Sequence, residues 1–345
     1  MDVEIAKITD IIPHPNADRL EIAKVKNWNV IVAKDGYTVG ESIVYIHPDA
    51  QLNCELEWVQ PMVKFLGSRG RVRTVKLRGV FSEGIALKLQ EINVHYPEIN
   101  ENTTNEDLAN ILGVVHYEPP VERGNNARSC SLPYGLCKTD QINVQDMLPD
   151  DIYEKSYYIT RKKDGSSCTV TLTVDELGVA DVHVTSRRFD LKLDQSNNFI
   201  DGTKPFVQRL LNAVSAKDTT ILNLTPGIVN VFRGEVCGIG INDSKVNKDA
   251  KAPLDYFLYE AFTCDIHGDN VKHYNIFKDD TFKKYCNVVP VVEVTNFLNE
   301  NTVESYLNAP AEEGEGVVFW EFDDSENITG FSFKIRSKDY DSKLH

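Results

Sequence analysis

The sequence predicts an α+β protein in two parts: a small N-terminal β-barrel, then a larger antiparallel β-rich domain with peripheral helices. Three observations carry this reading. The N-terminal stretch breaks into short, apolar-alternating runs between turn signals. Residues 94–130 are polar and turn-prone, with NENTTNEDL, a Pro-Pro pair and RGNNAR, as a linker would be. From Leu132 onward strand-like runs predominate, interrupted by a stretch at helical spacing.

Taken in order, the first strands are expected in VEIAKITDII, LEIAKVKNWNVIVAK, ESIVYIH, RVRTVKLRGVF and GIALKL. Turns fall at Pro13-His14-Pro15-Asn16, Asp35-Gly36 and His47-Pro48-Asp49, because Pro, Gly, Asn and Asp supply the backbone angles that a reversal needs. Residues 1–95 therefore make the first domain, 96–130 the linker and 131–345 the second domain. In the second domain strands are expected in SYYIT, SSCTVTLTV, VADVHVTS, GIVNVFRGEV, DYFLYEAF, GVVFWEF and GFSFKI. A helix is expected in KPFVQRLLNAV, where Phe206, Val207, Leu210, Leu211 and Val214 share one face.

Composition narrows the function classes. With 41% apolar and 26% charged residues over 345 positions, the chain can bury ordinary cores. There is no apolar run of about 18 residues to span a bilayer. The opening residues carry Asp2 and Glu4 where a signal peptide would be basic and then apolar, so a cytoplasmic location is expected. The seven cysteines (54, 130, 137, 168, 237, 264 and 286) contain no C-x-x-C pair and read as reduced thiols. A net charge of −15 argues against non-specific coating of nucleic acid, which needs Lys and Arg to neutralise phosphates. The charge is uneven, however. Lys64, Arg69, Arg71, Arg73, Lys76 and Arg78 precede any acid until Glu83, and they alternate with apolar residues as a strand with one basic face would.

The strongest local signal for chemistry is Lys162-Lys163-Asp164-Gly165-Ser166, between the apolar run Tyr157-Tyr158-Ile159 and the alternating run from Cys168 to Val174. A lysine leaving a strand at a Gly-bearing turn can project its amine into a cleft, and the Asp two positions later can hold it or a metal-bound water. A charged hairpin turn on the surface would read the same way.

The order of the segments that follow distinguishes the two readings. Here the chain resembles the covalent nucleotidyltransferase superfamily of ATP-dependent ligases and capping enzymes. Lys162-Lys163-Asp164-Gly165 matches its motif I, Ser186-Arg187 motif Ia and Phe232-Arg233-Gly234-Glu235 motif III. Phe257-Leu258-Tyr259-Glu260 matches motif IIIa, Glu315-Gly316-Val317-Val318 motif IV and Phe333-Lys334-Ile335-Arg336 motif V. HPNADRLEIAKV also resembles the opening of OB-type tRNA-binding modules, whose barrels present a strand face to oligonucleotides. Together these segments resemble nick-sealing RNA ligases in which an OB domain precedes an ATP-grasp-like nucleotidyltransferase domain. Only nine residues follow Arg336, whereas DNA ligases and capping enzymes carry their OB domain after motif V.

The resemblance implies an ATP-dependent RNA ligase that uses magnesium or manganese, acts as a monomer on RNA ends in a nicked duplex and has no membrane association. Lys162 would be the nucleophile, with Lys334 and Arg336 also catalytic. ATP would be held by Lys162, Asp164, Gly165, Arg187, Glu235, Tyr259, Val318, Lys334 and Arg336, with Tyr259 and Val318 on opposite faces of adenine. Asp164, Glu235 and Glu315 would hold the metal, directly or through water. The basic residues between Lys64 and Arg78 would hold nucleic acid. A free lysine is neutral in only about one molecule in a thousand at neutral pH, so attack on phosphorus requires a lowered pKa; Lys163, Lys334, Arg336 and a cation are candidates for lowering it.

Two positions depart from the family pattern. Arg336 stands where a second lysine is usual, and Lys138-Thr139-Asp140-Gln141-Ile142-Asn143 ends in Asn143 where a phosphate-binding arginine is expected. The alternatives are a DNA ligase or capping-type guanylyltransferase with the same lysyl chemistry, or a non-catalytic OB-containing nucleic-acid-binding protein.

Overall fold

The computed structural model describes residues 2–117, 127–129, 131–137, 141–146 and 150–344. Lys138, Thr139, Asp140 and Cys130 lie outside them. The chain divides into one unit of Met1–Val121, Gln145–Met147 and Asp341–His345, and a second of Glu122–Val144 and Leu148–Tyr340.

The first unit is built on a five-stranded antiparallel sheet, an OB-like half-barrel. Its order is Trp28–Ala33, Leu20–Val25, Val3–Pro13, Ser42–Ile46 and Ile85–Lys88. Period-two alternation sends Ala6, Ile8, Ala23, Val25, Val30 and Tyr45 into one core layer. Val3, Val44 and Ile46 enter another, with Trp58, Val59 and Met62. Part of the stretch expected to be linker belongs to this second layer. Asn105–Leu112 is a helix capped at Thr104, whose hydroxyl accepts from the Asp107 N–H, and ended by Gly113 at φ 66°. Its Leu108 and Leu112 are buried beside Ile99 and Val114. Those apolar residues are few, but Leu108 and Leu112, four positions apart, share the face that docks the helix.

The second unit holds two sheets. The larger runs Ala127–Ser129, Asp190–Leu191, Ala180–Ser186, Ser166–Val174, Ile228–Cys237, Asp255–Asp265 and Lys272–Tyr274, with Asn287–Val288 pairing Asp255–Asp265. The smaller runs Ile142–Asn143, Ile328–Arg336, Gly316–Phe322, Ser156–Lys162 and Val291–Thr295. Two short pairings are parallel, Asn287–Val288 and Ile142–Asn143, so both sheets are mixed; all longer ladders are antiparallel. The helix expected in KPFVQRLLNAV spans Asn198–Ser215, opened by Asn197, whose side chain accepts from the N–H groups of Phe199 and Ile200. It buries Phe206 and Leu210 against the larger sheet. Glu300–Leu307 covers one face of the smaller sheet, where Val303 packs with Tyr157, Phe319 and Phe333. Among the described residues no helix is long and apolar enough to cross a membrane, and the six described cysteines are free thiols.

Candidate active site

Strand register assembles the site. In the smaller sheet Lys162 lies opposite Gly316, Gly316 opposite Arg336, and Val318 opposite Lys334. Because side chains alternate along a strand, Lys162, Val318, Lys334 and Arg336 share one face, while Tyr157, Ile159, Val317, Phe319, Phe333 and Ile335 fill the core on the other. Gly316 matters here. At φ 150° it runs so close to the backbone carbonyl of Ile335 that a Cβ would overlap it, and it leaves no side chain beside the Lys162 stem.

The larger sheet supplies the facing groups. Ser167 pairs with Glu235, and Glu235 with Phe257, which places Glu235 on the face carrying Ser167. Gly165 lets the turn after Lys162 press onto this strand. A Cβ there would stand 2.7 Å from Glu235 Cγ and 2.7 Å from Cys237 Sγ. The Gly165 N–H donates to the Glu235 carboxylate.

The centre of the site is the Lys162 amine, 22% exposed, with its Nζ 2.7 Å from Glu315 Oε2. The other Glu315 oxygen is 3.5 Å from Arg336 Nε. Burial presses the Lys162 ammonium downward, and Arg336 adds to that, but the Glu315 and Glu235 carboxylates outweigh both and hold it above its usual value. The Glu235 pKa also rises, which for a carboxyl favours the neutral form. Burial, with Glu315 and Asp164 nearby, pushes it up to about 8 despite the attraction of Lys162. Lys163, a candidate for lowering the Lys162 pKa, does not face its neighbour: its Nζ is 2.7 Å from Asp249 Oδ2 and 4.3 Å from the centre of the Phe257 ring. Adjacent residues leaving a strand diverge, which turns Lys163 away.

Asp164 is held by residues that the sequence reading did not identify. Tyr340 Oη donates to its Oδ2 at 2.5 Å and Asn242 Nδ2 to its Oδ1 at 3.0 Å, while Asn247 Nδ2 donates to its carbonyl at 3.0 Å. Burial and the Glu315 charge raise the Asp164 pKa, and the Tyr340 and Asn242 hydrogen bonds oppose the rise. No periodicity or motif spacing marks Asn242, Asn247 or Tyr340; only the chain path brings them to motif I.

Among the described residues no group of three or more His, Cys, Asp or Glu side chains converges as a metal-holding set. Asp164, Glu235 and Glu315 are the residues expected to hold an ion directly or through water; here the Lys162 ammonium contacts Glu315, and Tyr340 and Asn242 donate to Asp164. Three carboxylates around one pocket still suit a hard, water-carrying cation bound through its hydration shell.

The base-binding candidates Tyr259 and Val318 lie in one apolar cluster. Tyr259 packs against the cluster of Tyr158, Val318, Trp320 and Ile328. Its ring stacks on Trp320 with centroids 5.9 Å apart and planes at 23°, and its hydroxyl lies 3.3 Å from Ser167 Oγ. Trp320 is fixed in turn by its indole N–H, which donates to Thr160 Oγ1 at 2.9 Å. Arg187 sits exposed in the turn between Ala180–Ser186 and Asp190–Leu191, a turn closed by the Phe189 N–H donating to Ser186 Oγ at 3.2 Å. Asn143 lies opposite Lys334 in the short parallel pairing.

The basic stretch in the first unit is not one strand. Glu57–Phe65 is a 3₁₀ helix, Arg69 turns at φ 56°, and Val75–Leu77 and Val80–Ser82 form a hairpin turning at Arg78 and Gly79, φ 47° and 90°. Arg71 pairs with Asp49 at 2.5 Å and lies 4.7 Å from the Tyr117 ring centre, which makes it a structural residue. Lys64, Arg69, Lys76 and Arg78 are exposed, and Arg73 is half-buried. Alternation of apolar and basic residues survives over Arg71-Val72-Arg73; the glycines at 67, 70 and 79 interrupt the rest.

Comparison with known proteins agrees with this geometry. An OB-fold domain family model matches residues 2–89 and an RNA ligase family model matches residues 155–336. The phenylalanine–tRNA ligase beta subunit of Chlamydia pneumoniae is 29% identical over 156 residues, and the chain spans only 18% of that protein's length. Among solved structures, a mutant of Naegleria gruberi RNA ligase with ATP and Mn has a TM-score of 0.75 at 23% identity, covering 98% of this chain and 97% of that one. Another with AMP and Mn has a TM-score of 0.77 at 22% identity, with 98% and 97% covered. The same enzyme with PPi has a TM-score of 0.75 at 23% identity over 98% and 97%. These likenesses show the fold. The RNA ligase match takes in more than half of the chain and encloses the strands that carry Lys162, Glu235, Tyr259 and Lys334, with Glu315 just before Gly316–Phe322, so the chain belongs to the RNA ligase family of nucleotidyltransferases.

Proposed function

We propose that this protein is an ATP-dependent RNA ligase that seals 3′-hydroxyl and 5′-phosphate ends at nicks, through a Lys162-linked AMP. The observation that carries the reading is the Lys162 amine at a strand end, 2.7 Å from Glu315 and under the field of Glu235 and Arg336. Family membership, and the structures of Naegleria gruberi RNA ligase with ATP and Mn, with AMP and Mn and with PPi, support the nucleotide and the cation.

In the first step the neutral Lys162 amine attacks the α-phosphorus of ATP, the N–P bond forms, and pyrophosphate leaves. In the second a 5′-phosphate oxygen attacks the lysyl-AMP and Lys162 is released. In the third a 3′-hydroxyl attacks the adenylylated end, and AMP departs. Lys334 and Arg336, on the same face as Lys162, would balance the charge that develops on phosphate. Tyr259 and Val318 would bound the adenine, with Arg187 near the ribose or acceptor phosphate. Asp164, Glu235 and Glu315 would hold a magnesium or manganese ion through water, which would supply charge neutralisation at the phosphates and favour the neutral Lys162 amine. Arg336 cannot give up a proton and acts by charge alone.

The test is incubation with α-labelled ATP and magnesium, comparing the intact protein with Lys162→Ala. Acid-labile label on the first and none on the second is expected; equal labelling refutes Lys162 as the nucleophile. Ligation of a nicked duplex against the same strands unpaired then tests the substrate, and equal rates would reject nick specificity.

A further inference from the structure

The hairpin of Val75–Leu77 and Val80–Ser82 has a two-residue tip, since Leu77 pairs with Val80. Both tip residues have positive φ, Arg78 at 47° and Gly79 at 90°, as in a type I′ turn. Such turns favour Asn-Gly, because glycine has no Cβ and the short Asn side chain tolerates the left-handed region. Arginine has neither property. The fold accepts a strained residue at this tip, and what that residue brings is an exposed guanidinium.

The tip is gripped from outside the hairpin by two residues of the turn that follows Val3–Pro13. Asn16 Nδ2 donates to the Arg78 carbonyl at 2.9 Å, and His14 Nε2 lies 3.2 Å from the Leu77 carbonyl. The His14 ring is buried, and its Nδ1 accepts from the Asn16 N–H at 3.1 Å. A carbonyl can only accept and a backbone N–H can only donate, so both contacts are met only by the neutral ring with its proton on Nε2. At the other end the Ile31 N–H donates to Ser82 Oγ at 2.9 Å and the Glu83 N–H to the Asn29 carbonyl at 2.7 Å. Lys76, across the ladder from Phe81, lies 4.6 Å from the centre of that ring. Lys76 and Arg78, both exposed, are thus carried on a hairpin fixed at both ends.

A cation on a fixed support loses less freedom when it meets a phosphate than one on a mobile loop. In a chain of net charge −15, attraction for a polynucleotide must come from such local groups. We propose that the Arg78-Gly79 tip is a preformed contact for one phosphate of the RNA backbone, and that His14 and Asn16 are positioning residues that aim it. The proposal rests on the reading that the basic stretch from Lys64 to Arg78 holds nucleic acid.

The experiment titrates the full chain, without ATP, onto a fluorescein-labelled nicked RNA duplex at several salt concentrations and measures the melting temperature alongside. Arg78→Asn gives the tip the pair that type I′ turns favour. It is expected to raise the melting temperature while weakening binding roughly fivefold and lowering the salt slope by about one, the scale of one phosphate contact. Asn16→Ala leaves every cation in place and is expected to weaken binding about threefold, part of that same contact. In the Arg78→Ala background it should add nothing, because the guanidinium it aims is gone. His14→Ala should act in the same way; because His14 is buried and its loss can unfold the unit, the exposed Asn16 carries the test. Unchanged affinity in Asn16→Ala, or a loss that adds fully to that of Arg78→Ala, overturns the positioning role. If Lys64→Ala or Arg69→Ala lowers the salt slope while Arg78→Asn does not, the tip contact is refuted and the nucleic-acid reading of the stretch stands. If none of Lys64→Ala, Arg69→Ala, Lys76→Ala and Arg78→Asn lowers it, both are refuted.

Discussion

The Lys162 amine and the Glu315 carboxylate, 153 residues apart in sequence, lie 2.7 Å from each other, and this contact holds the proposed nucleophile in its protonated form. Before nucleotide arrives the site is therefore at rest.

That resting state is measurable. In the free protein Lys162 should react with a small acylating reagent more slowly than exposed lysines at pH 8, since its folded pKa is raised and its neutral fraction reduced. Glu315→Gln should speed the modification several-fold. Mass-spectrometric rates for individual lysines check this, and a slower rate in the variant would contradict it.

Glu235 sets a pH dependence of stability. Its folded pKa is about 8, against an ordinary 4.5, so between those values the native state binds a proton that the unfolded state has lost. Stability must then fall as pH rises through that window. Glu235→Gln removes this dependence. Its melting temperature should gain on the parent more at pH 8 than at pH 5, and thermal melts at both pH values settle the matter.

Gly165→Ala should cost about 1–3 kcal/mol of stability, because the new methyl meets Glu235 Cγ, Cys237 Sγ and the Val236 carbonyl at once. Denaturant titration measures the loss, and adenylylation should fall with it because Glu235 is displaced.

Tyr340→Phe should lower stability by about 1 kcal/mol, the usual net worth of one hydrogen bond, by leaving Asp164 with one side-chain donor fewer. No loss in a denaturant titration would mean that water replaces the phenol.

In the N-terminal unit Arg71 and the exposed cations should separate. Arg71→Ala should destabilise that unit by about 1 kcal/mol through loss of its pair with Asp49, without a specific change in the salt dependence of nucleic-acid binding. Lys76→Ala should cost stability only through its contact with the Phe81 ring, 4.6 Å away, Arg78→Ala should leave stability nearly unchanged, and each should lower the salt slope by about one where it contacts phosphate. Binding titrations at several salt concentrations distinguish the two classes.

Much of this protein was legible in its sequence because the relevant signals are local. Alternation marked the long strands, from Val3–Pro13 to Ile328–Arg336, since one buried face imposes period two on any strand. The ordered short segments around Lys162, Glu235, Tyr259, Glu315 and Lys334 marked the site, since each sits on a strand or at its end. The helix at Asn105–Leu112 escaped notice because a few apolar residues among many polar ones carry little periodic signal.

What the tertiary structure alone decided is how those segments face one another. Register put Lys162, Val318, Lys334 and Arg336 on one side of a sheet, and the pairing of Glu235 with Phe257 set which face of its strand carries Tyr259. The grip of Tyr340 and Asn242 on Asp164, the pairing of Lys163 with Asp249 and the raised pKa of Glu235 follow from through-space distances and burial. Electrostatic and hydrogen-bond energies depend on separation in space, which linear order does not encode.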